Sequence, residues 1–408
     1  MKQKKLLTLS LSLLLITETF AMPLKEVLEH TLHSNSEIKS LRSNTEAYKF
    51  YVDEHFGNYL PTLSVDAYLE DKDSTNENLN TKVETDKDQN GYNAIIKIEQ
   101  MIYDGGLTPA KVSEAKHNYE ANKIKNISVI EEIMYETIKA YLESVKYMEL
   151  ELLTKHNVLV HEGYLDTAKE SEDISGETLD RLQVESKLLN SQSQYVKEKR
   201  EALQSYAKLS KLTGLDVSSN ICRPVLDNKN IKTVDAVIED ALVNNYTILE
   251  ELQNIEAQRS VISQEQSKFL PTIKARFSRE YDKDIDAQDV YKEENSARIS
   301  LTYNLFNGLK DKATYLREKK FLKESQERLD DIVNAIKEEV TSEKATYDSS
   351  IKRISYLKTY IENSKNILII TKEQFEGGTK TFLDVLNSEA DLYRARKDLI
   401  DEEYVNLL

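Results

Sequence analysis

The chain repeats itself. "LKEVLEHTLHSNSEI" at 24–38 aligns with "VDAVIEDALVNNYTI" at 234–248, so that Leu24 falls on Val234, Val27 on Val237, Leu32 on Leu242, Asn35 on Asn245 and Ile38 on Ile248. The same offset of 210 carries "YLPTL" (59–63) onto "FLPTI" (269–273). "MIYDGGL" (101–107) then meets "NLFNGLK" (304–310) at an offset of 203, and Leu179-Asp180 meets Leu383-Asp384 at 204. Four separated blocks held in one order define two copies of one structural plan, with length differences confined to connections. The expected division is 1–21 as a leader, 22–228 as the first copy and 229–408 as the second. Leu408 aligns with Gln204 while the first-copy helix runs on to Thr213, so either the chain is truncated or the last helix of the second copy is short.

Each copy follows one grammar. An amphipathic helix runs to a Leu-Pro pair, where proline disfavours the α conformation in the residue before it. Alternating segments follow. "TLSVDAYLED" puts Leu63, Val65, Ala67 and Leu69 on one face; "TIKARFSREY" sets Ile273, Ala275 and Phe277 against Lys274, Arg276 and Ser278. "SARISLTYNLF" sets Ala297, Ile299, Leu301, Tyr303 and Leu305 against Arg298, Ser300, Thr302 and Asn304, and "NAIIKIEQMIY" alternates less cleanly. A period of two over about ten residues is the mark of a strand with one apolar and one polar face. The polar stretches 70–91 and 282–295 are expected to be exposed loops.

A very long helix follows each strand pair. Residues 107–162 hold no glycine and only Pro109, at the helix start; residues 309–376 hold neither glycine nor proline. Ile127, Ile130, Met134, Ile138, Tyr141, Val145, Met148 and Leu152 recur about every 3.6 residues. A helix of ~55 residues would be ~80 Å long, more than a single globular domain needs. Helices over 177–213 and 380–408 return from Gly176 and from Gly377-Gly378, which makes these glycines hairpin tips.

Composition agrees. The chain is 31% charged with five prolines, ten glycines and a mean hydropathy of −0.56, the balance of long helices and coiled coil. Its net charge of −16 argues against nucleic acid and anionic lipid as main partners. Lys2, Lys4 and Lys5, an apolar run from Leu6 to Ile16 and Thr19-Phe20-Ala21 read as a secretory signal peptide, whose removal leaves a charge of −18. Cys222 is the sole cysteine, so no intrachain disulfide forms. After residue 21 no stretch approaches the ~20 apolar residues of a spanning helix, so such a chain reaches a bilayer only through β-strands. Four strands cannot close a barrel, and an open edge is prohibitive in hydrocarbon, so closure requires other copies; three would supply twelve strands.

Other features read as structural. Asp282, Asp284, Asp286 and Glu293 have EF-hand-like spacing, but Ala287 replaces the turn glycine and strands flank the segment, so a solvated loop is expected. His30 and His33 share one helix side with no third ligand. No nucleophile–base set, phosphate loop or metal constellation is present, so neither catalysis nor a cofactor is expected.

The repeated helix starts with Asn35 and Asn245, the paired "LPT" at 60–62 and 270–272, "YDGG" and "FNG" before the long helices, and "GTKTFLDVLNSEADLYRAR" together resemble the TolC-like outer membrane efflux proteins, in the family's order along the whole mature chain. The resemblance implies a homotrimeric channel-tunnel, mainly α with a small β part: four strands per chain in a twelve-stranded barrel, continued by helical hairpins as a periplasmic α-barrel. It implies docking onto a periplasmic adaptor and an inner membrane transporter, for efflux or type I secretion. It assigns Lys380 and Asp180 to a gate link, Asp384 to an acidic pore ring and Asn387 to the place of a second ring aspartate. Phe375 stands where a tyrosine would give a hydroxyl. The competing reading is a periplasmic coiled-coil adaptor or scaffold, which would need a Gly- and Val-rich lipoyl-like domain between its hairpin arms.

Overall fold

The computed structural model describes residues 22–176, 178–216, 221–224, 233–285 and 290–408; the leader lies outside the described residues. The elements in chain order are α1 (Leu24–Ser34), α2 (Ser36–Phe56), β1 (Thr62–Asn78), β2 (Val83–Tyr103), α3 (Leu107–Ser175), α4 (Leu179–Thr213), α5 (Val234–Asn244), α6 (Tyr246–Ser267), β3 (Thr272–Lys283), β4 (Tyr291–Thr302), α7 (Lys310–Glu376) and α8 (Phe382–Leu407). The order helix pair, strand pair, long helix, returning helix occurs twice. The chain divides into two compact units that cut across these repeats. One takes residues up to Lys39, Ile130–Ile231 and Ser342–Leu408; the other takes Ser40–Val129 and Lys232–Thr341.

The opening helix of each repeat is two helices rather than one. Asn35 and Asn245 interrupt it with extended ψ values of 126° and 124°. The Asn35 side-chain oxygen accepts from the amides of Glu37 and Ile38 (2.9 and 3.2 Å), and that of Asn245 accepts from Thr247 and Ile248 (2.9 and 3.3 Å). The repeated asparagine is therefore an N-cap, satisfying amides that have no partner in the first turn.

The second unit holds the sheet. Leu60, before Pro61, is extended (φ −94°, ψ 153°), and the chain enters β1 directly. The four strands pair antiparallel in chain order, so β1 and β4 are edges. Leu63, Val65, Ala67 and Leu69 lie opposite Ile98, Ile96, Ala94 and Tyr92; Ile98 lies opposite Phe277, and Phe277 opposite Ala297; Ile273 and Ala275 face Leu301 and Ile299. One face of the four strands thus carries an apolar block, bordered on β3 and β4 by Arg279 and Glu293. The apolar block of β3–β4 sits further toward the Leu-Pro end than that of β1–β2, so the band crosses the strands obliquely, the relation that strand tilt in a barrel requires. The opposite face carries ion pairs: Lys97 with Asp66 (2.7 Å), and Lys274 and Arg276 with Glu99 (3.1 and 2.6 Å).

Two expected loops are largely strand. Glu70–Asn78 and Val83–Gly91 continue as a two-stranded ribbon beyond the four-stranded region. A strand ladder is a backbone structure and propagates through polar side chains once pairing has begun. The Asn78 side chain accepts from the amides of Asn80 and Thr81 (3.0 and 3.2 Å), and Lys82, at φ +56°, closes the turn. In the acidic segment Asp282 is in β3 and Glu293 in β4, where it pairs with Arg279; Asp286 and Ala287 lie outside the described residues.

The first unit packs α1, α4, α8 and segments of α3 and α7. Val27, Tyr141, Leu142, Val145, Leu209 and Tyr404 form one core. Of the apolar row on α3, Tyr141 and Val145 are buried, while Leu152 is 62% exposed. The Tyr141 hydroxyl lies 2.9 Å from the Met22 carbonyl and 2.8 Å from that of Cys222, and accepts from the Cys222 amide at 3.2 Å. Burial pushes its pKa up to about 12. His30 lies 3.0 Å from the Thr213 carbonyl and from the Ser34 hydroxyl, a structural role.

Candidate gate at the hairpin tips

Both hairpin tips lie in the first unit. α3 ends at Ser175 and its return begins at Leu179; α7 ends at Glu376 and α8 begins at Phe382. Gly176 (φ +77°) and Gly378 (φ +72°) take the left-handed conformation that a side chain disfavours, while Gly377 continues the helical turn with its amide on the Glu373 carbonyl (3.0 Å). The amides of Gly378 and Thr379 close onto the Phe375 and Gln374 carbonyls at 2.9 Å each.

The start of α8 is built by its own sequence. Thr381 is the N-cap, and its hydroxyl accepts from the Asp384 amide at 3.3 Å. One Asp384 carboxylate oxygen in return accepts from the Thr381 amide and from its hydroxyl, both at 2.9 Å. This capping box explains an aspartate three residues after a threonine without reference to a pore. The Thr381 amide first, its hydroxyl next and finally the Lys380 charge hold the Asp384 carboxyl below its usual range. In the first hairpin Thr178 makes no such cap, and Arg181 instead ties Glu172 to Glu185 across the tip (2.5 and 3.1 Å).

Beneath the tips, Ala168, Val184, Leu368, Phe382, Val385, Leu386 and Leu392 form a second core. Phe375 stacks on Phe382 at 5.1 Å between centroids, and Phe382 meets the Tyr164 ring edge-on at 5.8 Å. Phe375 is therefore an apolar packing residue. The Tyr164 hydroxyl donates to the buried Glu389 carboxylate (2.9 Å), and Lys372 approaches the same carboxylate (3.6 Å) and the Tyr164 ring. Burial and the Glu389 charge push the Tyr164 hydroxyl well above its usual range.

Among the residues singled out from sequence, the chain brings Lys380 close to Asp384 and packs Phe375 onto the α8 start. It does not join Lys380, which is exposed, to Asp180, which lies half-buried in the first turn of α4. Asn387 is exposed one turn beyond Asp384. Tyr164, Lys372 and Glu389 escaped sequence reasoning. Their spacing is ordinary for a helix face, and only the packing of α3, α7 and α8 makes them neighbours.

The fold joins long helical hairpins and a four-stranded sheet with an open apolar face, an architecture similar to that of TolC-like outer membrane channels. The sequence profile of the outer membrane efflux protein family matches residues 237–405. The chain is 20% identical over 336 residues to the alkaline protease secretion protein AprF of Pseudomonas aeruginosa, covering 78% of this chain and 68% of AprF. In structure it is similar to the outer membrane protein VceC of Vibrio cholerae (TM-score 0.80, 14% identity, 93% of this chain and 92% of that one). It is likewise similar to the CmeC outer membrane channel of Campylobacter jejuni (TM-score 0.81, 15% identity, 94% and 83%). At these identities the two structures establish the shared fold.

Proposed function

We propose that the chain is the outer membrane channel of a tripartite efflux or type I secretion system, a passive duct across the periplasm and outer membrane. One observation carries this reading: the sheet has unpaired edges at β1 and β4 and an exposed apolar face, with Leu69 87% and Ile299 79% exposed. Large exposed apolar faces are rare in water-soluble proteins, and lipid does not tolerate such edges. Copies of the chain joined β4 to β1 satisfy both, and three copies give an even-numbered barrel of twelve strands. The barrel sits in the outer membrane and the hairpins extend into the periplasm.

In that trimer the tips of three chains converge. Asp384 becomes one member of an acidic ring, which binds cations and selects by charge; Asn387 supplies a neutral ring beside it. Lys380 reaches Asp180 of a neighbouring copy rather than its own. Such an exposed pair contributes about 0–1 kcal/mol, weak enough for a gate that must open. A periplasmic adaptor docks the tube to an inner membrane transporter of RND, ABC or MFS type, which supplies the energy.

The test is extraction and mass. Carbonate-washed membranes should retain the mature protein, and detergent should release a heat-dissociable trimer. Release by carbonate, or a monomer in detergent, would sink the reading.

A further inference from the structure

In the second unit the first repeat packs on the second through a defined set of contacts. β2 pairs with β3, with Ile98 opposite Phe277. In the elbow between β2 and α3, a Cβ on Gly105 would lie 2.6 Å from the Ser267 carbonyl oxygen and 2.9 Å from Leu270 Cβ. On the helices, Ser260 of α6 donates to Ser113 of α3 (2.9 Å), and Gln264 of α6 donates to Glu114 of α3.

The internal repeat turns each contact into a template. The start of α3 maps onto the start of α7 at an offset of 203, and α6 maps back onto α2 at 210. Carried over, Ser113 and Ser260 become Leu316 and Phe50, and Glu114 and Gln264 become Arg317 and Glu54. Both new pairs are complementary, one apolar and one of opposite charge. Neither is made within the chain. Phe50 is 70% and Leu316 50% exposed; Glu54 is exposed with no ion pair among the described residues, and Arg317 is paired only to its sequence neighbour Glu318 (2.7 Å). Gly105 becomes Gly308, which has open space around its Cα, and Leu270 becomes Leu60, which is exposed. The strands agree independently. The same offsets move Ile98 and Phe277 to Leu301 and Ala67, which sets Ile299 opposite Leu69 and Tyr303 opposite Val65. Apolar residues thus meet apolar residues along the seam, whereas a slip of one residue would set them against polar ones.

We propose that α7 and β4 of one copy seat on α2 and β1 of the next in the register that the two repeats use within a chain. Leu316 covers Phe50 of the next copy, Arg317 pairs with its Glu54, and Ile299 lies opposite its Leu69. The occupant of both exposed faces is a second copy of this chain. The inference rests on the reading that copies join β4 to β1, and adds to it the side chains and the register that hold them.

The test has two arms, both on the full-length protein in outer membranes. In a Cys222→Ser background, Leu69→Cys with Ile299→Cys should give covalent dimers and trimers on oxidation, since directly opposed strand residues bring their Cβ atoms within reach of a disulfide. Tyr68→Cys with Ile299→Cys, one residue out of register, should give none. In the second arm, Glu54→Arg and Arg317→Glu should each reduce recovered trimer about fivefold, and the two together should restore it, which a general loss of stability would not do. This arm reports even if the cysteine variants do not fold. A trimer that lacks the 69–299 cross-link, that cross-links equally through residue 68, or that is not rescued by the paired charge reversal overturns this register while leaving the channel reading in place. A parent protein that is monomeric in detergent removes both.

Discussion

Thr381 and Asp384 cap one another across the first turn of α8, each accepting a hydrogen bond from the other's backbone amide. Asp384 thus combines the pore charge proposed above with a fixed structural duty, and a truncation would remove both. Thr381→Ala should lower stability by about 1 kcal/mol while leaving block of single-channel current by multivalent cations intact. Asp384→Asn keeps an acceptor for the cap and loses the charge. It should relieve the block with little change in melting temperature. If Thr381→Ala relieves the block as much as Asp384→Asn does, Asp384 acts through the cap alone.

The same pair predicts an acid response. A carboxyl held below its unfolded value stabilises the fold above that value, near pH 4, and the contribution is lost as pH falls through the folded pKa. Thermal melts from pH 6 to pH 3 should therefore fall less steeply for Asp384→Asn than for the parent protein.

His161 gives a loss of the same sign in a higher pH window. Its folded pKa lies below the unfolded value because burial, helped by Lys187 and opposed by Glu389, disfavours the imidazolium. The unfolded chain then binds the extra proton, so stability is complete above about pH 6.5 and declines as pH drops toward the folded value. The parent protein should lose melting temperature between pH 7 and pH 5.5, and His161→Gln should flatten that slope. Parallel slopes would remove His161 as the titrating group.

The two repeated asparagines should not be equal. Among the described residues the Asn245 side chain makes only the cap of α6, whereas Asn35 also donates through Nδ2 to the Leu212 carbonyl at the end of α4 (2.9 Å). Asn245→Ala should cost about 1 kcal/mol, and Asn35→Ala about 2 kcal/mol, by denaturant unfolding.

On the sheet, neighbouring residues face opposite environments. Ile299→Arg places a charge on the apolar face, where the cost near the bilayer midplane is about 2–4 kcal/mol; Ser300→Arg adds it to the ion-paired face. The first should sharply reduce trimer recovered from outer membranes, and the second should leave it near the parent level.

Much of this was legible in the sequence because it is periodic or repeated. The strand faces of β1, β3 and β4, both glycine tips and both long helices follow from spacing alone. The break at Asn35 was written there too, since an asparagine followed two and three residues later by free amides is a cap; apolar periodicity running through it concealed the interruption. The polar ribbon at 70–91 was missed because its pairing comes from backbone groups that side-chain patterns do not report. Neither the network of Tyr164, Lys372 and Glu389 nor the burial of His161 has a linear signature. Each depends on three helices distant in sequence meeting at one level. Lys380 and Asp180 lie at the two hairpin tips, yet a single chain does not join them.

The ribbon itself has a practical consequence. Beyond Tyr92 it pairs with nothing but its own partner strand, and its turn at Leu79–Lys82 is exposed. A short antibody epitope spliced between Asn80 and Thr81 would hang clear of every other strand, giving whole, unbroken cells a surface label and reporting, without any fractionation, which end of the molecule looks outward.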